Sequence, residues 1–134
     1  MFRFRLDGSS GVPPYLQIVH QVRQSLLLGY LRAGDRLPTV KEVAVDLAIN
    51  PNTVVKAYRQ LEHESLAAGR PGQGTFITGT LASPAAAVSQ ALRGSLEKWF
   101  RDAAEAGLSD EAITALIAAV RHDIGRDTME ERVG

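Results

Sequence analysis

The sequence lacks cysteine, long apolar runs and any excess of charge. The absence of cysteine from the 134 residues excludes disulfides, thiolate nucleophiles and cysteine-ligated metal sites, and it fits a reducing compartment. No apolar run approaches the roughly 18 residues that span a bilayer, and residues 1–7 lack the apolar core of a signal peptide. We therefore expect a cytoplasmic protein without a membrane partner. The 45% of hydrophobic residues is typical of a globular chain.

The formal net charge is zero, yet the charges are unevenly distributed along the chain. Residues 13–78 hold seven basic and five acidic side chains, whereas residues 79–134 hold six basic and nine acidic ones. Because binding to phosphates depends on lysine and arginine, this distribution is compatible with a nucleic-acid partner for residues 13–78. An excess of two positive charges is weak support by itself.

Three helices are predicted after an N-terminal extension of residues 1–12. Apolar residues recur at helical spacing over residues 15–29, directly after two prolines. Thr39 opens Thr-Val-Lys-Glu, a capping box that starts a second helix. Asn50 and Pro51 start a third, since asparagine is a good N-cap and proline suits the first helical position. Two short helices joined by a tight turn indicate a helix-turn-helix.

A hairpin is predicted after the third helix and completes a domain of residues 13–78. Its turn is Pro71-Gly72-Gln73-Gly74, between two short strand-like segments. A helix-turn-helix followed by such a hairpin indicates a winged helix. The predicted fold class is mainly α with a small β wing, followed by a two-helix C-terminal dimerisation tail.

The tail is predicted after a linker of residues 79–84. Residues 85–126 contain two amphipathic helices, the second capped by Ser109, and residues 127–134 are expected to be a disordered end. Two such helices bury too little surface alone, so we predict that they pair with a second copy of the chain. The predicted interface consists of Val88, Leu92, Leu96, Trp99, Ile113, Leu116, Ile117 and Val120.

The start of the third helix carries short polar and basic side chains of the kind that contact DNA. Such a helix places its first turn in the major groove, where asparagine can bond two edges of adenine and lysine can reach guanine or a phosphate. Asn50 alone is equally well explained as a helix cap, and Lys56 as a solvated surface charge. The cluster of these residues between a second helix and a wing favours contact with DNA.

Three runs of sequence together resemble the DNA-binding signature of the GntR family of transcription regulators. They are Leu37-Pro38-Thr39-Val40-Lys41-Glu42-Val43-Ala44, then Asn50-Pro51-Asn52-Thr53-Val54-Val55-Lys56-Ala57-Tyr58, then Gly72-Gln73-Gly74-Thr75-Phe76. With Pro14-Tyr15-Leu16-Gln17-Ile18, the match covers about half of the chain in order and spacing. The two-helix tail resembles the YtrA-like subfamily, whose members lack a large effector domain.

The resemblance implies a repressor that binds a palindromic operator in double-stranded DNA as a homodimer. It also implies target genes for transporters and leaves a small-molecule effector open, and we expect no cofactor and no metal. Relatives usually have arginine where this chain has Lys41, and lysine keeps the charge without the bidentate fork. The residues assigned to DNA binding are Lys41, Asn50, Asn52, Thr53, Lys56, Arg59, Arg70, Gly72, Gln73, Gly74 and Thr75.

Two other functional classes compete with this interpretation. A winged helix can serve as a protein-protein interaction module without DNA binding, and a lack of salt-dependent binding to DNA would favour that function. An enzyme is disfavoured because the serines lie in no nucleophile-elbow sequence. The glycine-rich turn also lacks the lysine and the length of a phosphate-binding loop.

Overall fold

The computed structural model describes residues 2–81 and 89–133, except for the side chains of residues 89 and 128–133. The helices and strands are α1 (Pro14–Leu27), α2 (Val40–Leu47), α3 (Pro51–His63), β1 (Ala67–Arg70), β2 (Gly74–Ile77), α4 (Ser89–Glu105) and α5 (Asp110–Val133). The mainly helical fold with a small β wing and two C-terminal helices is confirmed. The chain divides into two compact units, residues 1–89 and 90–134, called here the winged unit and the tail unit. Within the described ranges, no helix has the length and apolarity that crossing a membrane requires.

The predicted helix caps set the turn between α2 and α3. The Thr39 hydroxyl accepts a hydrogen bond from the Glu42 N–H at 3.1 Å, which starts α2. Ala48 ends the helix in the left-handed conformation, with φ of 54°. The Asn50 side-chain oxygen then accepts from the Asn52 N–H at 2.8 Å and starts α3. These local bonds fix a tight turn between two helices.

The core of the winged unit lies between α1 and α3 and under the wing. Fully buried side chains come from α1, the loop before α2, α3 and β2, namely Ile18, Val22, Leu26, Leu37, Val54, Leu61 and Ile77. The apolar residues of α3 therefore face inward. Its polar residues are presented on the opposite side, as a surface helix requires.

The wing is anchored to the loop that precedes α2. β1 and β2 pair antiparallel, with Arg70 opposite Gly74 and Ala68 opposite Phe76. The other edge of β2 pairs with residues 34–37, since the Leu37 N–H donates to the Thr75 carbonyl at 2.9 Å and Arg36 forms a bridge with Phe76. The wing is thus a three-stranded arrangement whose third, very short strand leads into α2.

The N-terminal extension packs against the rest of the winged unit, and two glutamines of α1 hold its backbone. The Phe4 side chain is 4% exposed and belongs to the core. Gln21 bonds both backbone groups of Arg5, accepting from its N–H at 2.9 Å and donating to its carbonyl at 2.5 Å. Gln17 does the same for Asp7, at 2.8 and 3.0 Å. The side-chain amides thereby replace the sheet partner that this extended segment lacks.

The winged unit continues into the segment that the sequence analysis assigns to a linker. The Gly79 N–H donates to the Leu66 carbonyl at 3.3 Å, and Leu81 packs against the core. Residues 82–84 of the proposed linker lie outside the described residues. The division between the two units therefore falls later in the chain than residue 78.

The tail unit contains the two predicted helices, and its second helix is longer than expected. The Ser109 hydroxyl caps α5 by accepting from the Ala112 N–H at 3.1 Å, as the sequence predicts. The helix continues to Val133, whereas the sequence analysis expected a disordered end over residues 127–134. The extension has a simple reason, because no glycine or proline between Gly125 and the last residue interrupts a series of helix-forming side chains.

The contrast between Gly79 and Gly94 gives a prediction about stability. A Cβ on Gly79 would lie 2.8 Å from the Ser65 carbonyl oxygen, which is a clash with backbone. Gly79→Ala should therefore destabilise the winged unit by about 1–3 kcal/mol. Gly94 lies within α4 with nothing within 4 Å of its Cβ position, so Gly94→Ala should stabilise its helix by up to about 1 kcal/mol. Thermal unfolding, followed by circular dichroism, checks both substitutions. If the two variants shifted the melting temperature in the same direction, the packing described for Gly79 would be contradicted.

Candidate nucleic-acid interface

The outward side of α3 carries three of the residues that the sequence analysis assigns to DNA. Asn52, Lys56 and Arg59 are exposed, and they line one groove together with Gln60 and His63. Their spacing of four and three residues puts them on one stripe of the helix. The stripe can offer an amide and two cations to a polyanion at the same time.

The first turn of α3 combines a structural role with exposure. Asn50 is exposed, but its side-chain oxygen is occupied by the helix cap. Thr53 is half-buried, and its N–H donates to the Asn50 carbonyl at 2.9 Å. The cap interpretation of Asn50 is therefore correct, and any role of this residue in DNA contact would use the rest of its amide.

Lys56 lies over an aromatic ring of α1. Its ammonium nitrogen is 4.1 Å from the centroid of the Tyr15 ring, which is a cation–π contact. The contact restricts a long side chain whose head would otherwise sample many positions. Tyr15 was not selected from the sequence as a site residue, because the proximity of α1 to α3 is a tertiary feature.

A buried tyrosine joins α3 to the start of α2, where Lys41 is exposed. The Tyr58 hydroxyl donates to the Pro38 carbonyl at 2.5 Å. Burial raises the pKa of the Tyr58 phenol, and the Glu42 carboxylate raises it further. The phenol therefore stays protonated at neutral pH, and its bond to Pro38 holds the start of α2 against α3.

The tip of the wing is a glycine-rich turn closed by backbone bonds. The Gln73 N–H donates to the Arg70 carbonyl at 2.9 Å. Gly72 and Gly74 have φ of 74° and 118°, a region that side chains other than glycine rarely adopt. The Arg70 guanidinium stacks on the Phe76 ring at 4.5 Å, so its charge is held at the surface of the wing.

A second groove lies between the wing and the start of α2. Its lining includes Arg70 and residues 71–75 of the wing, and also Arg36 and Thr39, which the sequence analysis did not select for DNA contact. The only local signal for Arg36 is its charge in a loop. The pairing that brings it to β2 connects segments forty residues apart.

Lys41 and the lysine and arginine side chains of these two grooves form no ion pair within the described residues. The ion pairs found in the described ranges join Arg3 to Asp46, Arg23 to Glu64, Arg93 to Glu97 and Lys98 to Asp102. Within those ranges, none of Lys41, Lys56, Arg59 and Arg70 has an acidic partner. Four surface cations on α2, α3 and the wing are therefore available to a negatively charged ligand. The same ranges contain no cluster of three histidine or acidic side chains that could hold a metal ion.

Residues 14–77 match the family model described as bacterial regulatory proteins of the gntR family. A relative from Bacillus subtilis, the HTH-type transcriptional regulator YhcF, is 35% identical over 102 residues, which are 76% of this chain and 84% of the relative. The chain belongs to the GntR family. The HTH-type transcriptional repressor YtrA of the same organism is 42% identical to this GntR-family chain over 74 residues, 55% of the chain and 57% of YtrA. The chain thus spans little more than half of YtrA, and the match is confined to about half of its own length.

Solved structures agree with the assignment of the fold. A GntR-family transcription factor, YtrA from Sulfolobus acidocaldarius, superposes with a TM-score of 0.53 at 26% identity, covering 73% of this chain and 97% of that one. These relatives are regulators of transcription, which confirms the expectation that this GntR-family chain is not an enzyme. The similarity to the YtrA proteins also confirms the resemblance to that subfamily.

Proposed function

We propose that this chain is a sequence-specific DNA-binding transcription regulator, a repressor that binds a palindromic operator as a homodimer. The observation that carries the proposal is the set of unneutralised cations and exposed amides on α2, α3 and the wing. Free arginine and lysine on a helix-turn-helix attract the phosphates of DNA and release condensed counterions. The repressor role rests on the similarity to YtrA, which is named a repressor, and transporter genes as targets rest on the resemblance in sequence alone.

In this proposal α3 lies in the major groove. Asn52 and Thr53, in its first turn, contact base edges, while Lys56 and Arg59 contact phosphates farther along the helix. Lys41 reaches the backbone from the first turn of α2. Asn50 assists by capping α3, which fixes where the first turn begins and so sets the positions of Asn52 and Thr53.

The wing contacts the DNA beside α3. Arg70 and Gln73 are exposed at its tip, and they can reach a phosphate or the minor groove. Gly72 and Gly74 lack side chains and allow the backbone of the turn to approach the groove closely. Thr75 is half-buried, and its carbonyl already accepts the Leu37 N–H, so its remaining role is that of its hydroxyl.

The homodimer is proposed from the apolar face of the tail unit. Leu96 and Trp99 of α4 and Leu116, Ile117, Val120, Arg121 and Ile124 of α5 line one mostly apolar groove, here called the tail groove. Leu96 is 52% exposed and Val120 47% exposed, and Leu92, nearby on α4, is 65% exposed. Apolar side chains with this exposure on two adjacent helices are typical of a surface that a partner covers.

Two of the predicted interface residues stand apart from the others. Ile113 is only 8% exposed. Because it is already covered in the single chain, we assign it to the packing of that chain. Val88 lies outside the described residues. A small-molecule effector remains open in this proposal, and no residue is assigned to it.

The test of the proposal is selection of DNA from a random-sequence pool by the purified full chain. A dimer that reads two half-sites should enrich an inverted repeat whose halves lie about one helical turn apart, or ~34 Å. Failure to enrich any sequence, together with an absence of salt-dependent binding to duplex DNA, would instead support a protein-protein interaction module.

Substitutions in the two classes of contact should have different effects on binding. Lys41→Ala should weaken binding to all sequences, because phosphate contacts carry no base information. Asn52→Ala should change which base is preferred at one position of each half-site, with a loss of about 1–3 kcal/mol on the preferred operator. Repeating the selection of DNA with each variant measures the base preference at every position of the operator. An unchanged base preference for Asn52→Ala would remove this residue from the set that reads bases.

A further inference from the structure

Arg36 lies against the wing although it belongs to the loop before α2. Its Nε atom is 3.0 Å, and its Cζ atom 3.6 Å, from the point where a Cβ on Gly74 would stand. The guanidinium therefore occupies the space above Gly74 that any other residue would fill. The backbone of the same residue pairs with Phe76 of β2. Arg36 is thus joined to β2 through its backbone, and its guanidinium lies over Gly74.

Arg36 and Arg70 lie on the same face of the wing. Arg36 is opposite Phe76 in one pairing, and Arg70 is opposite Gly74 in the other. Phe76 and Gly74 are two residues apart on β2 and so share a face. Paired residues also share a face, which puts both arginines beside each other across β2. Thr39, the N-cap of α2, lines the groove that they share.

No carboxylate lines this groove, and Arg36 has no ion-pair partner within residues 2–81 and 89–133. The nearby acids are directed elsewhere. Asp35 accepts a hydrogen bond from the Arg32 N–H at 2.9 Å. The Glu62 carboxylate lies beside Gly69, whose Cβ position is on the other face of β1. Glu42 shares a neighbouring pocket with Arg36 but is not in ion-pair contact with it.

We propose that Arg36 is a DNA-contacting residue that, together with Arg70, binds a phosphodiester of the operator backbone on this face of the wing. Two guanidinium groups on one face without a carboxylate repel each other in the free protein, and an anion between them removes that repulsion. Arginine also matches the geometry of two phosphate oxygens. The inference rests on the proposed function, and it adds a contact that connects the wing to the loop before α2.

The test uses the full chain and a fluorescein-labelled duplex of mixed sequence, with anisotropy measured over a range of KCl concentrations. A contact to one phosphate contributes about 0.9 to the slope of log affinity against log salt. Because the two arginines share one phosphate, Arg36→Gln and Arg70→Gln should each lower the slope, and the double variant should lower it by about one in total. Arg36→Lys should retain most of the slope, because it keeps the charge.

The matched control is Arg101→Gln, which removes the same charge from an exposed position of α4 that does not line the groove. If Arg36→Gln changes the slope no more than this control, while Arg70→Gln reduces it, the inference is wrong and the proposed function stands. A lower unfolding temperature with an unchanged slope would equally overturn it, since that result assigns Arg36 to packing alone. Absence of salt-dependent binding by the unaltered chain would reject the proposed function itself.

Discussion

Leu116→Glu is expected to convert the proposed dimer into a monomer and to weaken binding to the selected operator by about 10²–10⁴-fold. Leu116 lines the tail groove and is 42% exposed, so its substitution leaves most of the packing within one chain unaltered. A carboxylate placed in this mostly apolar surface opposes association, because burial would remove its hydration. Each winged unit then binds one half-site alone, and the avidity of two linked sites, which accounts for a factor of this size, is lost. Analytical ultracentrifugation gives the mass, and anisotropy with the operator gives the affinity.

The control for this experiment introduces the same charge on the other side of the same helix. Ala115 is exposed and lies far from the apolar stripe of α5 at 100° per residue. Ala115→Glu should therefore leave both mass and affinity unchanged. Circular dichroism should show equal helix content in the two variants. A Leu116→Glu protein that remained a dimer would place the interface elsewhere, and a variant that became a monomer but kept full affinity would separate dimerisation from operator binding.

The helices of the winged unit could be predicted from the sequence because local chemistry determines where they begin. Thr39 and Asn50 each satisfy a free backbone N–H two or three residues ahead. Such bonds depend only on neighbouring residues, so they can be predicted from the sequence alone. The predicted cap of α5 at Ser109 was correct for the same reason. The wing could be predicted in the same way, from the positions of the glycine and proline residues in its turn.

The contacts that organise the candidate site could not be predicted, because they join segments far apart in the chain. Lys56 meets Tyr15 only because α1 packs on α3. Arg36 reaches Gly74 only because its loop pairs with β2. Composition and spacing carry no information about such pairs. The candidate DNA contacts on α3 could therefore be predicted, whereas the residues that restrain them could not.

The burial of the N-terminal extension follows from its alternating apolar and charged residues. Phe2, Phe4 and Leu6 alternate with charged residues, a period of two that indicates an extended segment with one apolar face. The structure buries Phe4 and leaves Arg3 and Arg5 exposed, in agreement with that period. The segment does not join a sheet, because its backbone groups form hydrogen bonds with the side chains of Gln17 and Gln21. The alternating pattern does not predict these glutamine partners.

Phe4→Ala should destabilise the winged unit by about 3–5 kcal/mol, although it lies outside the segment that matches the family model. Phe4 is 4% exposed, and its ring centroid is 6.5 Å from that of Tyr58. Its removal leaves a cavity beside the tyrosine that joins α3 to Pro38. For a unit of this size, each kcal/mol lowers the melting temperature by about 4–8 °C. Thermal unfolding of the variant measures the loss, and hydrogen exchange locates it.

Phe2→Ala is the matched comparison, because Phe2 is only half-buried and contacts the Phe4 ring edge-to-face at 4.8 Å. It should lose the energy of one aromatic pair, about 0.5–1.5 kcal/mol, with a small cavity term. The difference between the two losses of stability therefore measures the contribution of burying the Phe4 ring, and not that of the contact between the two rings. Exchange of amide protons should increase near Tyr58 and the first turn of α2 in Phe4→Ala, since the ring supports the tyrosine that holds this turn. Equal losses in the two variants, or unaltered exchange in α2, would show that the extension only covers the winged unit and does not support the helix that carries Lys41.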